Sequence, residues 1–181
     1  MDVIDNLQRD TNRVFAFCVV TVLSFSSLLF PLDANAKADD RIVMAMEKFS
    51  TVLNFARREA IRKGVRVVIC PTRNGKQCAS SSQWHNGVML FADIDGDRKR
   101  DKREPILHLY RLPVKRIATY SSGSAKWVIY QPSGATPGTK MTLTFCDLQG
   151  AARPKAILLG NTGRIRVSNK RINGKPLSCR P

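Results

Sequence analysis

The residues best placed to do chemistry in this chain are Gly163-Arg164-Ile165-Arg166-Val167. Side chains two apart on a strand share a face, so Arg164 and Arg166 project together while Ile165 and Val167 turn toward a core. Two guanidinium forks about 7 Å apart along a strand match neighbouring phosphates of a nucleic-acid backbone. Lys170, Arg171, Lys175 and Arg180 follow in a segment that reads as mobile, and Arg153 and Lys155 lie just before. Between Pro105 and Pro181 a single acid, Asp147, stands against thirteen Lys or Arg. Charge on an edge strand also deters aggregation, but solubility does not call for so lopsided a balance. The asymmetry points to a polyanionic partner, whether nucleic acid, anionic lipid or an acidic protein face.

A second constellation is acidic. Asp93, Asp95, Asp97, Asp101 and Glu104 occupy positions 1, 3, 5, 9 and 12 of a twelve-residue window, the ligand spacing of a calcium loop. Position 6 is Arg98, where such a loop needs Gly for its turn, and Lys99, Arg100, Lys102 and Arg103 repel a metal as well. The window reads as a turn whose carboxylates pair with its own cations, and no metal is assigned to it. Trp84, Trp127 and Tyr130 have faces on which bases can stack, but large aromatics in a strand-rich chain belong more often to the core, where Trp127 is placed. His85 and His108 have no partner at catalytic spacing, and no nucleophile or carboxylate pair stands out. The chain is not read as an enzyme, and no cofactor is expected.

These side chains need a scaffold, and the composition supplies one. A chain of 181 residues, 43% hydrophobic and 24% charged, suits one compact domain and excludes wholesale disorder despite its net charge of +16. Residues 1–36 are set apart as a leader or membrane segment. Positions 14–32 carry no charge, follow Arg9 and Arg13, and run into Ala34-Asn35-Ala36, the small-x-small pattern of a secretory cleavage site. The competing reading is an uncleaved membrane helix. Four Ser/Thr between Thr21 and Ser27, with Pro31, make it a mediocre span. Either way the chain is expected to be exported.

Cysteine usage agrees with export. Cys18 lies within the apolar stretch, leaving Cys70, Cys78, Cys146 and Cys179 for two disulfides, with three pairings arithmetically possible. Cys70 and Cys78 bracket Asn74-Gly75, a tight-turn signal that brings them together, so Cys146–Cys179 follows as the second pair. Spacing of the CxxC kind, which a zinc site would need, is absent.

The remainder, 37–181, reads as a single α+β head. Ile42, Met46, Phe49, Leu53, Ala56 and Ala60 recur in steps of three and four, which predicts an amphipathic helix over about 40–63. Asp39 or Asp40 is placed to cap it, Gly64 to end it, and Arg57 and Arg58 sit off the apolar stripe on a solvated face. Strands are expected at 65–70, 87–92, 106–112, 127–131, 141–146, 156–159 and 164–168, rich in Val, Ile, Leu and aromatics and separated by clusters such as 132–138. One helix followed by about seven short strands implies a helix covering antiparallel sheet.

Leu53-Asn-Phe-Ala-Arg-Arg-Glu-Ala-Ile-Arg-Lys-Gly64, Cys70-Pro71, Cys78, Trp84, Gly87, Phe91-Ala-Asp-Ile-Asp-Gly-Asp97 and Asp101-Lys-Arg-Glu104 form an ordered set of landmarks. Pro132-Ser-Gly134, Phe145-Cys146, Gly163-Arg-Ile-Arg166 and Cys179 complete it. Over roughly 45–181 this order resembles the GspH/FimT family of type IV pilin-like proteins, minor pilins and pseudopilins, with the Gly-Arg-x-Arg element nearest to FimT. The resemblance implies a hydrophobic N-terminal helix running into a β-rich head of two antiparallel sheets. It further implies contacts with other pilin subunits, a place in the inner membrane, periplasm or pilus, and no catalysis. In FimT-like members the Gly-Arg-x-Arg element binds DNA for uptake in natural transformation, which places that role on Arg164 and Arg166. Lys170, Arg171, Lys175, Arg153 and Lys155 join them from local charge alone. The alternative is a structural pseudopilin or pilus-assembly subunit of a type IV pilus or type II secretion system, without DNA binding. The chain departs from the family's leader, which ends in Gly or Ala before Phe or Met with Glu at the fifth mature position. Its nearest approach, Ala16-Phe17, puts Thr21 there.

If Ala34-Asn35-Ala36 is cleaved, N-terminal sequencing of the exported protein will begin at Lys37. An intact 14–32 segment in the membrane fraction would instead establish an uncleaved anchor.

Overall fold

The computed structural model describes residues 32–111, 115–122 and 125–179. The apolar stretch 14–31, with Cys18, lies outside them, as does Arg180. The chain divides into two compact units, Met1–Lys37 and Ala38–Pro181, and of the first only residues 32–37, all helical, are among those described.

Helix α1 spans Leu32–Lys63, so it begins eight residues earlier than the periodicity predicted. Asp39 and Asp40 therefore lie within the helix and cap nothing. From Ala38 onward one stripe is buried: Ala38, Ile42, Ala45, Met46, Phe49, Val52, Leu53, Ala56 and Ala60. This is the three-and-four spacing of a helix laid on a core. Gly64, at φ +65°, ends it by donating its N–H to the Ala60 carbonyl at 3.0 Å, behind Arg62 and Lys63 in the last turn. Among the described residues, no helix is long and apolar enough to cross a membrane.

Among the described residues, eight strands follow in two antiparallel four-stranded sheets. The first sheet is ordered β3-β2-β1-β5, from β1 (Arg66–Pro71), β2 (Val88–Asp93), β3 (Ile106–Tyr110) and β5 (Val128–Tyr130). The second is ordered β4-β6-β7-β8, from β4 (Ile117–Ser121), β6 (Met141–Asp147), β7 (Lys155–Leu159) and β8 (Ile165–Ser168). Strand β4 is the one the sequence did not announce. Its Ile-Ala-Thr-Tyr-Ser is short and flanked by polar residues, and it becomes a strand by pairing with β6 from Ile117↔Asp147 to Ser121↔Leu143.

The inner faces of both sheets share one core with α1. Val67, Ile69, Val88, Leu90, Val128 and Tyr130 come from the first sheet, and Met141, Leu143, Phe145, Ile157 and Leu159 from the second. Phe49 meets Trp84 and Phe145 edge-on, with ring centroids 5.9 and 5.8 Å apart. That geometry suits the aromatic quadrupole.

Each outer face is strapped by one disulfide. On the first sheet Val68, Cys70, Met89 and Phe91 form a small cluster against Cys78, and Cys70–Cys78 closes the loop over it. On the second, the register aligns Thr142 with Leu158 and Leu158 with Arg166, and Thr142, Thr144, Cys146, Ala156 and Leu158 are all buried. The C-terminal segment lies over this face, bonded through Cys146–Cys179, with the Ile172 N–H donating to Thr142 Oγ1 at 3.2 Å. Both pairings are those expected from the spacing.

Replacing Cys146 and Cys179 together by Ser should free the C-terminal strap. The expected cost is about 2–4 kcal/mol of unfolding free energy, read from denaturant melts. Amide exchange at 170–179 should quicken in parallel.

Candidate functional site

Strand β8 is an edge. The opposite edge of its sheet, β4, is covered by the 82–84 segment: the Trp84 N–H donates to the Thr119 carbonyl at 2.9 Å and the Ser121 N–H to Ser82 at 3.0 Å. Among the described residues β8 pairs on one side only, from Leu159↔Ile165 to Ala156↔Ser168. Arg164 and Arg166 are both exposed, and Arg166 shares the outer face with Leu158. Ile165 packs against the core as expected, but Val167 does not. It is aligned with the buried Ile157 yet is 69% exposed, because a side chain on an edge strand has one flank bare.

The turn before Arg164 is held from behind. Gly163, at φ +74°, donates its N–H to Gly160 at 3.0 Å and presses its Cα against the Gly134 carbonyl, leaving no room for a Cβ. Tyr130 Oη donates to the Gly163 carbonyl at 3.3 Å. Burial pushes the Tyr130 phenol above its ordinary pKa, so it stays a neutral donor. Thr136 adds its N–H to the Asn161 carbonyl at 2.8 Å and its hydroxyl to Gly160 at 2.7 Å. Pro132-Ser-Gly134 and Gly163-Arg-Ile-Arg166, far apart in sequence, are thus one structural unit that aims the first arginine.

Lys170, Arg171 and Lys175, expected in a mobile segment, are held by backbone hydrogen bonds. Lys170 bridges to Pro176 and donates its N–H to Ser168 Oγ at 3.0 Å. Arg171 donates its N–H to the Lys175 carbonyl at 2.9 Å, and Gly174 returns its own to Arg171 at 2.9 Å. These bonds close a tight hairpin that the Cys146–Cys179 bridge and the Thr142 contact hold on the sheet. Lys170 and Lys175 are exposed and Arg171 half-buried.

Arg153 is exposed just ahead of β7, at the end of the edge where Lys170 follows, since Ala156 aligns with Ser168. Lys155 is turned the other way, its Nζ 3.5 Å from Asp39 on α1. The structure therefore gathers Arg164, Arg166, Lys170, Arg171, Lys175 and Arg153 along one edge and sets Lys155 against the helix. None of the six gathered residues makes an ion pair among the described residues, whereas the acids elsewhere take Arg41, Arg62, Lys63, Arg66, Arg103 and Lys155.

The acidic window folds on itself, as its own charges suggest. Asp93, Asp95 and Asp97 come within 4.8 Å of one another, but buried Asp93 pairs with Arg66 at 3.0 Å. Glu104 is buried and accepts the N–H groups of Ile94 at 2.7 Å and Asp101 at 3.2 Å. Asp101 accepts from the Arg103 backbone at 2.7 Å, which, with the Arg103 guanidinium, holds its carboxyl below the usual range. The carboxylates at positions 9 and 12 are thus occupied by the loop itself.

One aromatic assignment is reversed. Trp84 is the fully buried tryptophan, while Trp127, placed in the core from sequence, is 37% exposed with the Arg98 guanidinium 5.2 Å from its ring centroid. Lys126 and Lys140 line a shallow cleft beside it. The Trp-Lys-Arg grouping was unreadable in sequence, because its members come from three separate loops. His85 serves structure, its Nδ1 accepting the Thr119 N–H at 3.2 Å, and His108 lies 4.1 Å from the Tyr110 ring.

The family model for type II transport protein GspH matches residues 45–163, ending one residue before Arg164. Two crystal structures of the type IV minor pilin FimU of Pseudomonas aeruginosa share the fold. One has a TM-score of 0.57 and 14% identity, covering 72% of this chain and 90% of FimU. The other has 0.52 and 15%, covering 69% and 90%. The minor pseudopilin EpsH from the type 2 secretion system of Vibrio cholerae aligns at a TM-score of 0.47 and 14% identity, over 70% of this chain and 94% of EpsH. No curated protein matches the sequence.

Gly163→Ala should be disruptive although only a methyl is added, since it meets both a left-handed φ and the Gly134 carbonyl. A loss of at least about 1–2 kcal/mol is expected in thermal or denaturant unfolding. Gly174→Ala has open space and should show only the conformational part.

Proposed function

The chain belongs to the GspH family of type II transport proteins, and from that premise we propose that it is a FimT-like minor pilin that binds DNA along its basic edge, in DNA uptake for natural transformation. One observation carries the reading: Arg164, Arg166, Lys170, Arg171 and Lys175 along β8 and its hairpin, with Arg153 just ahead of β7, have no acid partner among the described residues. A charged surface left without counter-charges recruits a polyanion, and arginine forks fit phosphate oxygens in bidentate fashion. Among the described residues no helix or ribbon is shaped to enter a groove, so binding is mainly to phosphate and weakly dependent on base sequence.

The remaining assignments follow from the same reading. The protein is exported and works beside other pilin subunits in the inner membrane, the periplasm or the pilus. Two disulfides suit an oxidising compartment. Residues 1–36 serve as leader or membrane segment and 37–181 as the head. The role is one of binding and assembly rather than catalysis.

A second reading is favoured by the family description itself. As a structural pseudopilin of a type II secretion system, the chain would offer the same edge to an acidic face of a partner subunit.

Titration of the full chain with random-sequence DNA across a salt series separates the two. Arg164→Gln with Arg166→Gln should lower affinity sharply and reduce the slope of log K against log salt by about two, one for each phosphate no longer neutralised. Stability should move by no more than about 0.5 kcal/mol at each exposed site. Lys170→Gln with Arg171→Gln should weaken binding as well, because the hairpin holds both beside the strand. Unchanged affinity and salt slope in a folded Arg164/Arg166 variant would leave the structural reading in place.

A further inference from the structure

Resting on the DNA-binding reading above, we propose that Trp127 is a base-stacking platform at the end of the basic edge, so that the preferred ligand is a single strand. Three observations carry this. First, Trp127 is 37% exposed, whereas Trp84 is 0% exposed. The open ring of Trp127 offers a face on which an unpaired base can stack. Second, its surroundings are cationic. Arg98 sits over the ring at 5.2 Å, and Lys126 and Lys140 line the adjoining cleft of about 350 Å³ with Ser122 and Met141. An aromatic face flanked by Lys and Arg is the arrangement by which proteins hold unpaired bases while neutralising their phosphates.

Third, sheet register relates the cleft's Lys140 to the Arg164 end of the basic edge. Met141, Leu159 and Ile165 lie in one register line across β6, β7 and β8. One residue beyond that line stand Lys140, Gly160 and Arg164. Two strand spacings, about 10 Å, separate β6 from β8. Lys140 thus bridges the gap between Arg164 on one side and Trp127 on the other. A strand running along β8 past Arg166 and Arg164 reaches Lys140 and then the indole. In a duplex the bases are stacked on one another and closed to Trp127, so only an unpaired base can use the ring face.

The test uses the full chain, an oligothymidylate of about 16 nucleotides and a duplex of the same length. Trp84 is sealed from solvent, so quenching of tryptophan fluorescence on addition of the single strand reports on Trp127. Expected are tighter binding of the single strand with quenching, and an affinity loss of about tenfold for that strand in Trp127→Ala. Trp127→Phe, which keeps a ring, should retain most of the affinity, and both variants should bind the duplex within about twofold of the parent. Equal losses in the Ala and Phe variants, losses shared by the duplex, or an absence of quenching would overturn the stacking proposal. If Arg164→Gln with Arg166→Gln still abolished binding in that case, the DNA-binding edge would stand without it. A parent chain that binds neither DNA form would overturn both.

Discussion

Phe49 stands where three surfaces meet, and the head depends on that meeting. Its ring touches Trp84 and Phe145 edge-on, joining α1 to the β1–β2 loop that covers β4 and to β6, an inner strand of the second sheet. Neither sheet alone could bury the helix stripe, and four short strands without a helix have only one dry face to offer. Losing such a ring from a filled core typically costs about 3–5 kcal/mol, a large part of the stability of a domain this size. Polar contacts then orient what apolar burial holds: Asp39 with Lys155, and the nearby Arg41 with buried Asp147 at 3.9 Å, tie the helix to the start of β7 and the end of β6.

With the inner faces spent on the helix, each sheet still has an outer face to cover. The chain meets this twice with a short crossing segment locked by a disulfide, one over Cys70 and one over Cys146. The second strap has a consequence for function. The hairpin that covers Thr142 and Cys146 is also the carrier of Lys170, Arg171 and Lys175, so the element that completes the fold supplies half of the charge. Order in that segment lowers the entropy that a bound phosphate backbone would otherwise have to remove.

The edge presents opposing demands. An unpaired strand invites association with other strands, and like charges along it repel one another. Arginines exposed to solvent satisfy the first demand and are tolerated under the second, since water screens them. What the surrounding structure adds is aim. Gly163 is wedged against Gly134 and held by the Tyr130 hydroxyl, so the arginine pair leaves a fixed turn rather than a loose one. Trp127, just ahead of β5 in the other sheet, is the open aromatic ring beside Arg98.

Much of this was determined by the sequence alone. The three-and-four spacing of α1, seven of the strands, both disulfide pairings and the outward pair Arg164 and Arg166 rest on local periodicity and short-range closure, which the chain carries in its order of residues. The tertiary structure decided the rest. Ile117–Ser121 became a strand only because β6 lies beside it. Trp127, placed in the core from sequence, lies at the surface because burial depends on which loop covers which face. Lys155 was drawn from the charged edge to Asp39, and the tail was pinned where freedom was expected. Each of these turns on contacts between residues distant in sequence, and a period of two or 3.6 says which way a side chain points without saying what it will meet there.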